Sequence, residues 1–439
     1  MLQNLPASNT GKQKAWKAIP VRFTGVLLMT FFLSMWRPLP ALSYGVLAHE
    51  AIVDALWDES IKPLLKRKYP KATTEELVKA HAFAYGGAII PDIGYYPMGR
   101  PLFSNLVHYV RTGDFVLAML EESRNLNEYA FALGVLSHHL ADQYGHTIAV
   151  NKSVALMFPK LAKKYGNEVT FEQGCGQHGR MEFGFDVIQT ARGNYASKAY
   201  HDFIGFEVSD SLLERAFYKT YKLEIREIFR SLSIAISTLR FSVKTIIPEL
   251  TKDAWKVKNS VITKANPLAD RKTYIFKYDR KNYRKEFTQP KVQSILITVI
   301  IGLIPKVSIF SRFKPKFPNE EAEKLFEQSF DAILPRYSSK LKQLRTGEIT
   351  CANINLDTGN DDVLGEYKLT DKYYYKLLER LRNRKFEGVD ESLRKEILAF
   401  YSNRDSSTEY GPRSRKGKQI TAALEQMNAD TLKNKSAEK

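Results

Sequence analysis

The sequence predicts an all-α protein. Apolar residues recur at three- and four-residue steps along most of the chain, and Gly and Pro are few for 439 residues and gather in short breaks. The first helical run is "HEAIVDALWDESIKPLLKRKY", and "TTEELVKAHAFAYG" follows with Thr74 placed to cap it. "GGAIIPDIGYYPMGRP" breaks the period and reads as a loop. "DFVLAMLEESRNLNEYAFALGVLSHHLADQYGHTIAV" resumes as two helices separated at Asn125 to Asn127. "EQGCGQHGRMEFGFDVIQTA" starts in glycine-rich turn chemistry and turns helical near His178. From 207 to 258 the helical period returns in "SDSLLERAFYKTYKLEIREIFRSLSIAISTLRF". A basic, aromatic connection follows, then the apolar run "VQSILITVIIGLIP", ended by Pro305. "NEEAEKLFEQSFDAILPRYSSKLKQL" and "TDKYYYKLLERLRNRKF" read as helices. From about Ser402 the chain is charged and poor in aromatics, so 402–439 is expected to be a disordered basic tail. The resulting division is a leader over 1–43, a helical domain over 44–250, a helical extension of unknown role over 251–401, and the tail.

Lys and Arg total 66 against 48 Asp and Glu, a net charge of +18 that favours anionic partners such as phospholipid headgroups or nucleic acid. The N-terminus has the order of a secretory signal: basic "GKQKAWKAIPVR", apolar "GVLLMTFFLSMW", then "RPLPALSYG" with small residues at Ala41 and Ser43. Cleavage is expected between Ser43 and Tyr44, which makes the protein exported, to the periplasm or the outside. The apolar run falls short of the about 20 residues that a comfortable membrane span needs, which argues against an uncleaved anchor. Cys175 and Cys351 form no CxxC pattern, so cysteine-based zinc binding is excluded, while a pairing between them stays open.

The chemistry concentrates in "ALGVLSHHLADQYGHTIAVN". On a helix, His138, Asp142 and His146 stand at i, i+4 and i+8 and fall within about 80° of arc, so three metal-competent side chains share one stripe. His139 points elsewhere. "HGRME" repeats the spacing with His178 and Glu182. Either pair alone is more often a hydrogen-bonded core or surface pair. Their concentration, with His49 and His108 also near carboxylates, points to zinc, which accepts N and O donors at about 2.0–2.2 Å. "HEAIV" is not the zincin motif, because Val53 stands where the second His is needed.

The motifs "SYGVLAHE", "GGAIIPDIGYYP", "VHYV", "LGVLSHHLADQYGH" and "HGRMEFGFD" occur in an order that resembles the zinc-dependent phospholipase C family, whose relatives include single-strand-specific nucleases. The resemblance covers about residues 44–190. It implies a multi-helix domain with three zinc ions per chain. Tyr44, through its freed α-amino nitrogen and carbonyl oxygen, would join His49 on one zinc. Asp92, His108 and His138 would hold a second, with Asp142 bridging the two, and His146, His178 and Glu182 would hold the third. The family's usual Trp is replaced by Tyr44, which leaves the backbone donors intact. The step from Asp142 to His146 is four residues without a Pro, as in the eukaryotic glycan-anchor-cleaving phospholipase D relatives, rather than six through a Pro. Glu182 agrees with the phospholipase branch, since the nucleases usually carry Asp there.

The resemblance further implies phosphodiester hydrolysis by metal-activated water, with Asp92 as ligand and candidate general base. A phospholipid is the expected substrate, with peripheral contact to an anionic membrane. A secreted nuclease is the alternative: residues 271–287 interleave basic and aromatic side chains that suit nucleic acid, although a solvated connection explains them as well. A non-catalytic, zinc-stabilised surface protein stands third, because structural zinc sites are usually closed by four ligands. Residues 292–305 are flanked by Lys291, Lys306, Arg312 and Lys314, which suits a membrane-inserted element. At that length, a buried core segment is the stronger reading.

Overall fold

The computed structural model describes residues 45–192, 205–243, 315–406 and 408–437, with six isolated positions (255, 259, 260, 263, 264 and 267) between the second and third stretches. The leader, Tyr44 and the segments 271–287 and 292–305 lie outside the described residues. Helix α1 spans Val46–Leu56 and passes through a π-turn, Trp57–Ile61, into α2, Lys62–Lys68. Helix α3, Thr74–Ile89, starts one residue earlier than a Thr74 cap implies, because Thr73 is the cap. Thr73 accepts from the Glu76 N–H at 3.2 Å, and Glu76 accepts from the Thr73 N–H at 2.9 Å, a reciprocal capping box. The "GGAII" expected in a loop is mostly α3. Only Ile90–Tyr95, a 3-10 turn, and the residues up to α4, Pro101–Tyr109, leave the α-helix.

Helix α5 is Thr112–Glu121, and α6 is Leu126–Tyr144, capped by Asn125, which accepts from the Glu128 N–H at 3.0 Å. A second π-turn, Gly145–Val150, leads to α7, Asn151–Met157, and α8, Pro159–Tyr165. Helix α9 runs Phe171–Arg192, interrupted only at Gly174, so the glycine-rich stretch before His178 is kinked helix rather than turn. Three short helices follow, α10 (Asp210–Tyr221), α11 (Ile225–Ile228) and α12 (Leu232–Phe241). Then come α13 (Glu320–Thr346), α14 (Lys368–Asn383), α15 (Glu391–Phe400) and α16 (Arg415–Ala437). No strand occurs among the described residues; Ile354 and Asp361 form an isolated bridge. The all-α expectation therefore holds. No described helix is long and apolar enough to cross a membrane.

The centre of the core is the close approach of α3 to α6. A Cβ on Gly87 would run into the Phe131 carbonyl, and one on Gly134 into the Ala84 carbonyl, so only glycine lets these backbones meet. Small neighbours such as Ala80, Ala84, Ala88 and Ala130 are fully buried beside them. The C-terminal third packs on this core. The Tyr337 hydroxyl on α13 donates to the Leu133 carbonyl of α6 at 2.9 Å, and Phe326 stacks on Phe185 of α9 with ring centroids 4.7 Å apart. The irregular segment before α14 threads inward. Thr112 Oγ1 donates to the Ile354 carbonyl at 2.8 Å, and the Leu356 N–H donates to the His108 carbonyl at 3.1 Å. The described residues all belong to one compact unit, Pro40–Lys439.

The expected disordered tail is corrected. Residues 415–437 form α16, and Ile420, Ala423 and Met427 are buried at helical spacing against the core. The charged composition hid one apolar stripe, which is all a docked helix requires. Cys175 and Cys351 are both free, and burial raises the Cys351 thiol to about 11. Truncating Ile420 to Ala is expected to cost about 2–5 kcal/mol, measured as a lower midpoint in denaturant. In an unfolded tail the same change would be silent.

Candidate metal centre

Asp92 stands in the 3-10 turn, His108 in the last turn of α4, and His138 and Asp142 on α6; all four are buried. One donor atom from each lies within 4.8 Å of the others. The two imidazoles are oriented by backbone carbonyls. His108 Nδ1 lies 2.6 Å from the Ser104 carbonyl, and His138 Nδ1 lies 2.8 Å from the Ala88 carbonyl. A carbonyl only accepts, so each ring proton is held on Nδ1 and each Nε2 presents a lone pair to the centre. Those two Nε2 atoms are 3.1 Å apart. Two lone pairs at that distance would repel, so a proton or a metal ion lies between them. His108 Nε2 is also 3.0 Å from Asp142 Oδ2 and 3.3 Å from Asp92 Oδ1, and His138 Nε2 is 3.2 Å from Asp142 Oδ2.

On its other side Asp142 meets α1, where His49 Nε2 lies 3.3 Å from Asp142 Oδ1. The start of α1 is fixed by Asp186 on α9, which accepts from the N–H groups of Leu47 at 3.1 Å and Ala48 at 3.2 Å. A Cβ at Gly45 would fall inside that carboxylate, which explains the glycine four residues before His49. His49 is thus brought to Asp142, while Tyr44, its expected companion, lies outside the described residues.

His146, His178 and Glu182 form a second buried set whose donor atoms lie within 4.8 Å of one another. His178 Nε2 sits 2.6 Å from the Val169 carbonyl, which turns Nδ1 toward Glu182 Oε1 at 3.7 Å. Neither Glu182 oxygen has a hydrogen-bond partner. The expectation that His146 continues one α-helical stripe from His138 and Asp142 needs correction. Helix α6 gives way to the π-turn at Gly145, so His146 faces α9 and joins the other set.

Burial and charge oppose each other at His108 and Asp142 but act together at Glu182. Burial pushes the Glu182 carboxyl well above the ordinary carboxylate range, and Asp92, Asp142, Asp186 and Asp357 add to the rise. Burial lowers His178 to about 4. Against burial, Asp142 and Asp92 raise His108 to about 10, so without a metal a proton takes the place on Nε2 that a ligated ion would fill. Burial also acts to raise Asp142, but His138, His108 and His49 hold it well below its usual range. Among the described residues, no lysine or arginine pairs with Asp142, Glu182 or Asp357. Buried carboxylates without cationic side chains, and imidazoles with inward lone pairs, are the donor set of divalent metals.

One residue of this region escaped the sequence reading. Asp357, buried between α13 and α14, has Oδ1 3.2 Å from His146 Nδ1. Its Asn- and Asp-rich surroundings, "NINLDTGNDD", were a turn signal but had no helical spacing to tie them to a histidine.

Two buried His/carboxylate sets inside a helical scaffold are a donor arrangement suited to metal-assisted hydrolysis. Residues 48–231 match the family described as zinc dependent phospholipase C. No curated protein and no solved structure matches the chain. The matched stretch contains His49, Asp92, His108, His138, Asp142, His146, His178 and Glu182, but not Asp357.

Removing divalent ions from the protein with a chelator is expected to lower its melting temperature, with recovery on adding zinc. Free metal at a thousand times its Kd contributes about 4.1 kcal/mol of folding stability. In Asp142→Asn, which keeps the shape and removes the shared charge, bound zinc per chain falls and the zinc-dependent rise in melting temperature shrinks. Unchanged zinc content by elemental analysis would take Asp142 out of the site.

Proposed function

We propose that this protein is a phospholipase C that hydrolyses phospholipid phosphodiesters with three zinc ions. The family match and the buried His/Asp sets support a zinc-dependent hydrolase. The observation that carries the finer reading is the pair of inward-facing sets on adjoining helices, whose carboxylates are close enough to perturb one another. In this reading Tyr44 and His49 hold one ion, Asp92, His108 and His138 a second with Asp142 shared between them, and His146, His178 and Glu182 the third. Zinc would lower the pKa of bound water toward about 7 and offset the charge that builds on the phosphoryl oxygens.

The chain's own groups have definite tasks. The Ser104 and Ala88 carbonyls keep His108 and His138 in the tautomer whose Nε2 is free to ligate. Asp92, 3.3 Å from His108 Nε2, orients the attacking water and accepts its proton. Asp186 seats the start of α1, so the proposed ligation by Tyr44 depends on chain cleavage after Ser43. Export with loss of residues 1–43 is therefore part of the proposal, and the order of the leader supports it. The basic surplus suits contact with anionic lipid surfaces.

The test is turnover of short-chain phosphatidylcholine beside single-stranded DNA, with bis-p-nitrophenyl phosphate as a general diester. Wild-type protein is expected to cleave the lipid and to release diacylglycerol. Asp92→Asn lowers kcat on all active substrates by about 100-fold or more. Preferential cleavage of DNA would reassign the protein to the nuclease relatives. No diester hydrolysis by zinc-loaded, correctly processed protein would end the enzymatic reading.

A further inference from the structure

Asp357 reaches the centre from outside the stretch that matches the family. Its backbone is clamped by the ligand-bearing core: Leu356 N–H donates to the His108 carbonyl, and Asn151 Nδ2 donates to the Asp357 carbonyl at 2.9 Å. Its side chain is held just as firmly on one edge. Oδ2 accepts from the Phe171 N–H at the start of α9 and from the Tyr367 hydroxyl, both at 2.8 Å. That leaves Oδ1, which is buried and lies 3.2 Å from His146 Nδ1, and neither atom has any other partner. Each atom would be left unsatisfied without the other, and a buried polar atom without a partner is destabilising.

We propose that Asp357 is a positioning residue for the His146–His178–Glu182 metal site, holding the His146 ring with its proton on Nδ1 so that Nε2 is the ligating atom. The inference rests on the reading that this set binds zinc. Asp357 is not among the donors that cluster within 4.8 Å, so it acts through His146 and not as a further member of that set. It does for His146 what the Ser104, Ala88 and Val169 carbonyls do for His108, His138 and His178. His146 is the one histidine of these four whose outer partner is a carboxylate, which increases the basicity of the ligating nitrogen more than a carbonyl does. The C-terminal third is then a working part of the centre.

The experiment is zinc titration of the metal-stripped full-length protein against a competing chelator, with cobalt absorption as a spectroscopic probe. Four proteins are compared: wild type, Asp357→Asn, His178→Ala and Ile420→Ala. In Asp357→Asn one zinc is expected to bind about 10- to 100-fold more weakly, with the remaining ions unaffected. The cobalt spectrum changes in the same component that His178→Ala abolishes. Ile420→Ala lowers stability without touching the site and leaves zinc affinity unchanged. If Asp357→Asn fails to fold, Tyr367→Phe, which removes one of the donors that hold Asp357, is expected to shift the same component in the same direction by a smaller factor. Wild-type affinity in these variants, or equal weakening in Ile420→Ala, overturns the proposal. Unchanged zinc stoichiometry in His178→Ala overturns the underlying assignment instead, and with it the role of Asp357.

Discussion

Carboxylates and imidazoles are buried together in this protein with no lysine or arginine, among the described residues, to balance Asp142, Glu182 or Asp357, and the rest of the fold accommodates that. An unpaired carboxylate in a protein interior costs several kcal/mol, and imidazole lone pairs that converge add repulsion. Divalent cations resolve both at once, because they replace protons on the histidines and neutralise the carboxylates. The backbone does the orienting. Carbonyls of Ala88 and Ser104 hold two rings by their outer nitrogens, and the glycine contacts between α3 and α6 bring Ala88 near enough to do so. A side chain at Gly87 or Gly134 would push the helices apart and withdraw the carbonyl from His138.

Much of this was legible in the sequence because much of it is local. Spacings of four residues within one helix bring His138 to Asp142 and His178 to Glu182, and a helix preserves such spacing whatever the tertiary context. Gly45 and His49 are likewise tied through the first turn of α1. Other features were illegible for equally physical reasons. Composition alone made residues 402–439 resemble a tail, yet the stripe of Ile420, Ala423 and Met427 is enough to dock a helix. Gly86 and Gly87, before Asp92, resemble turn chemistry in the sequence, but it is a neighbouring backbone that requires them. Asp357 had no local signature, because tertiary packing alone puts it beside His146.

The C-terminal third changes its meaning accordingly. A helical extension after a complete catalytic domain would be free to vary without affecting the site. Here α13 places Tyr337 on α6, and Thr112, His108 and Asn151 grip the segment from Ile354 to Asp357. Three of the elements gripped or crossed, α4, α6 and α9, are those that carry His108, His138, Asp142, His178 and Glu182. Folding of the two halves is therefore coupled at the metal centre itself.

The short step from Asp142 to His146 shows how that coupling arises. On an unbroken α-helix His146 would stay within about 80° of His138 and compete for the same centre. The π-turn from Gly145 to Val150 breaks the register where one set must end and the other begin. The price is that the carbonyls that serve His108 and His138 have no counterpart beside His146. A chain segment from elsewhere has to supply an acceptor there, and it must be rigid, since a mobile one would not select a single ring orientation. Asp357 meets that requirement because its other oxygen is already bound to α9 and Tyr367. The irregular turn in α6 and the inward-threaded C-terminal segment are thus two parts of one solution to placing His146.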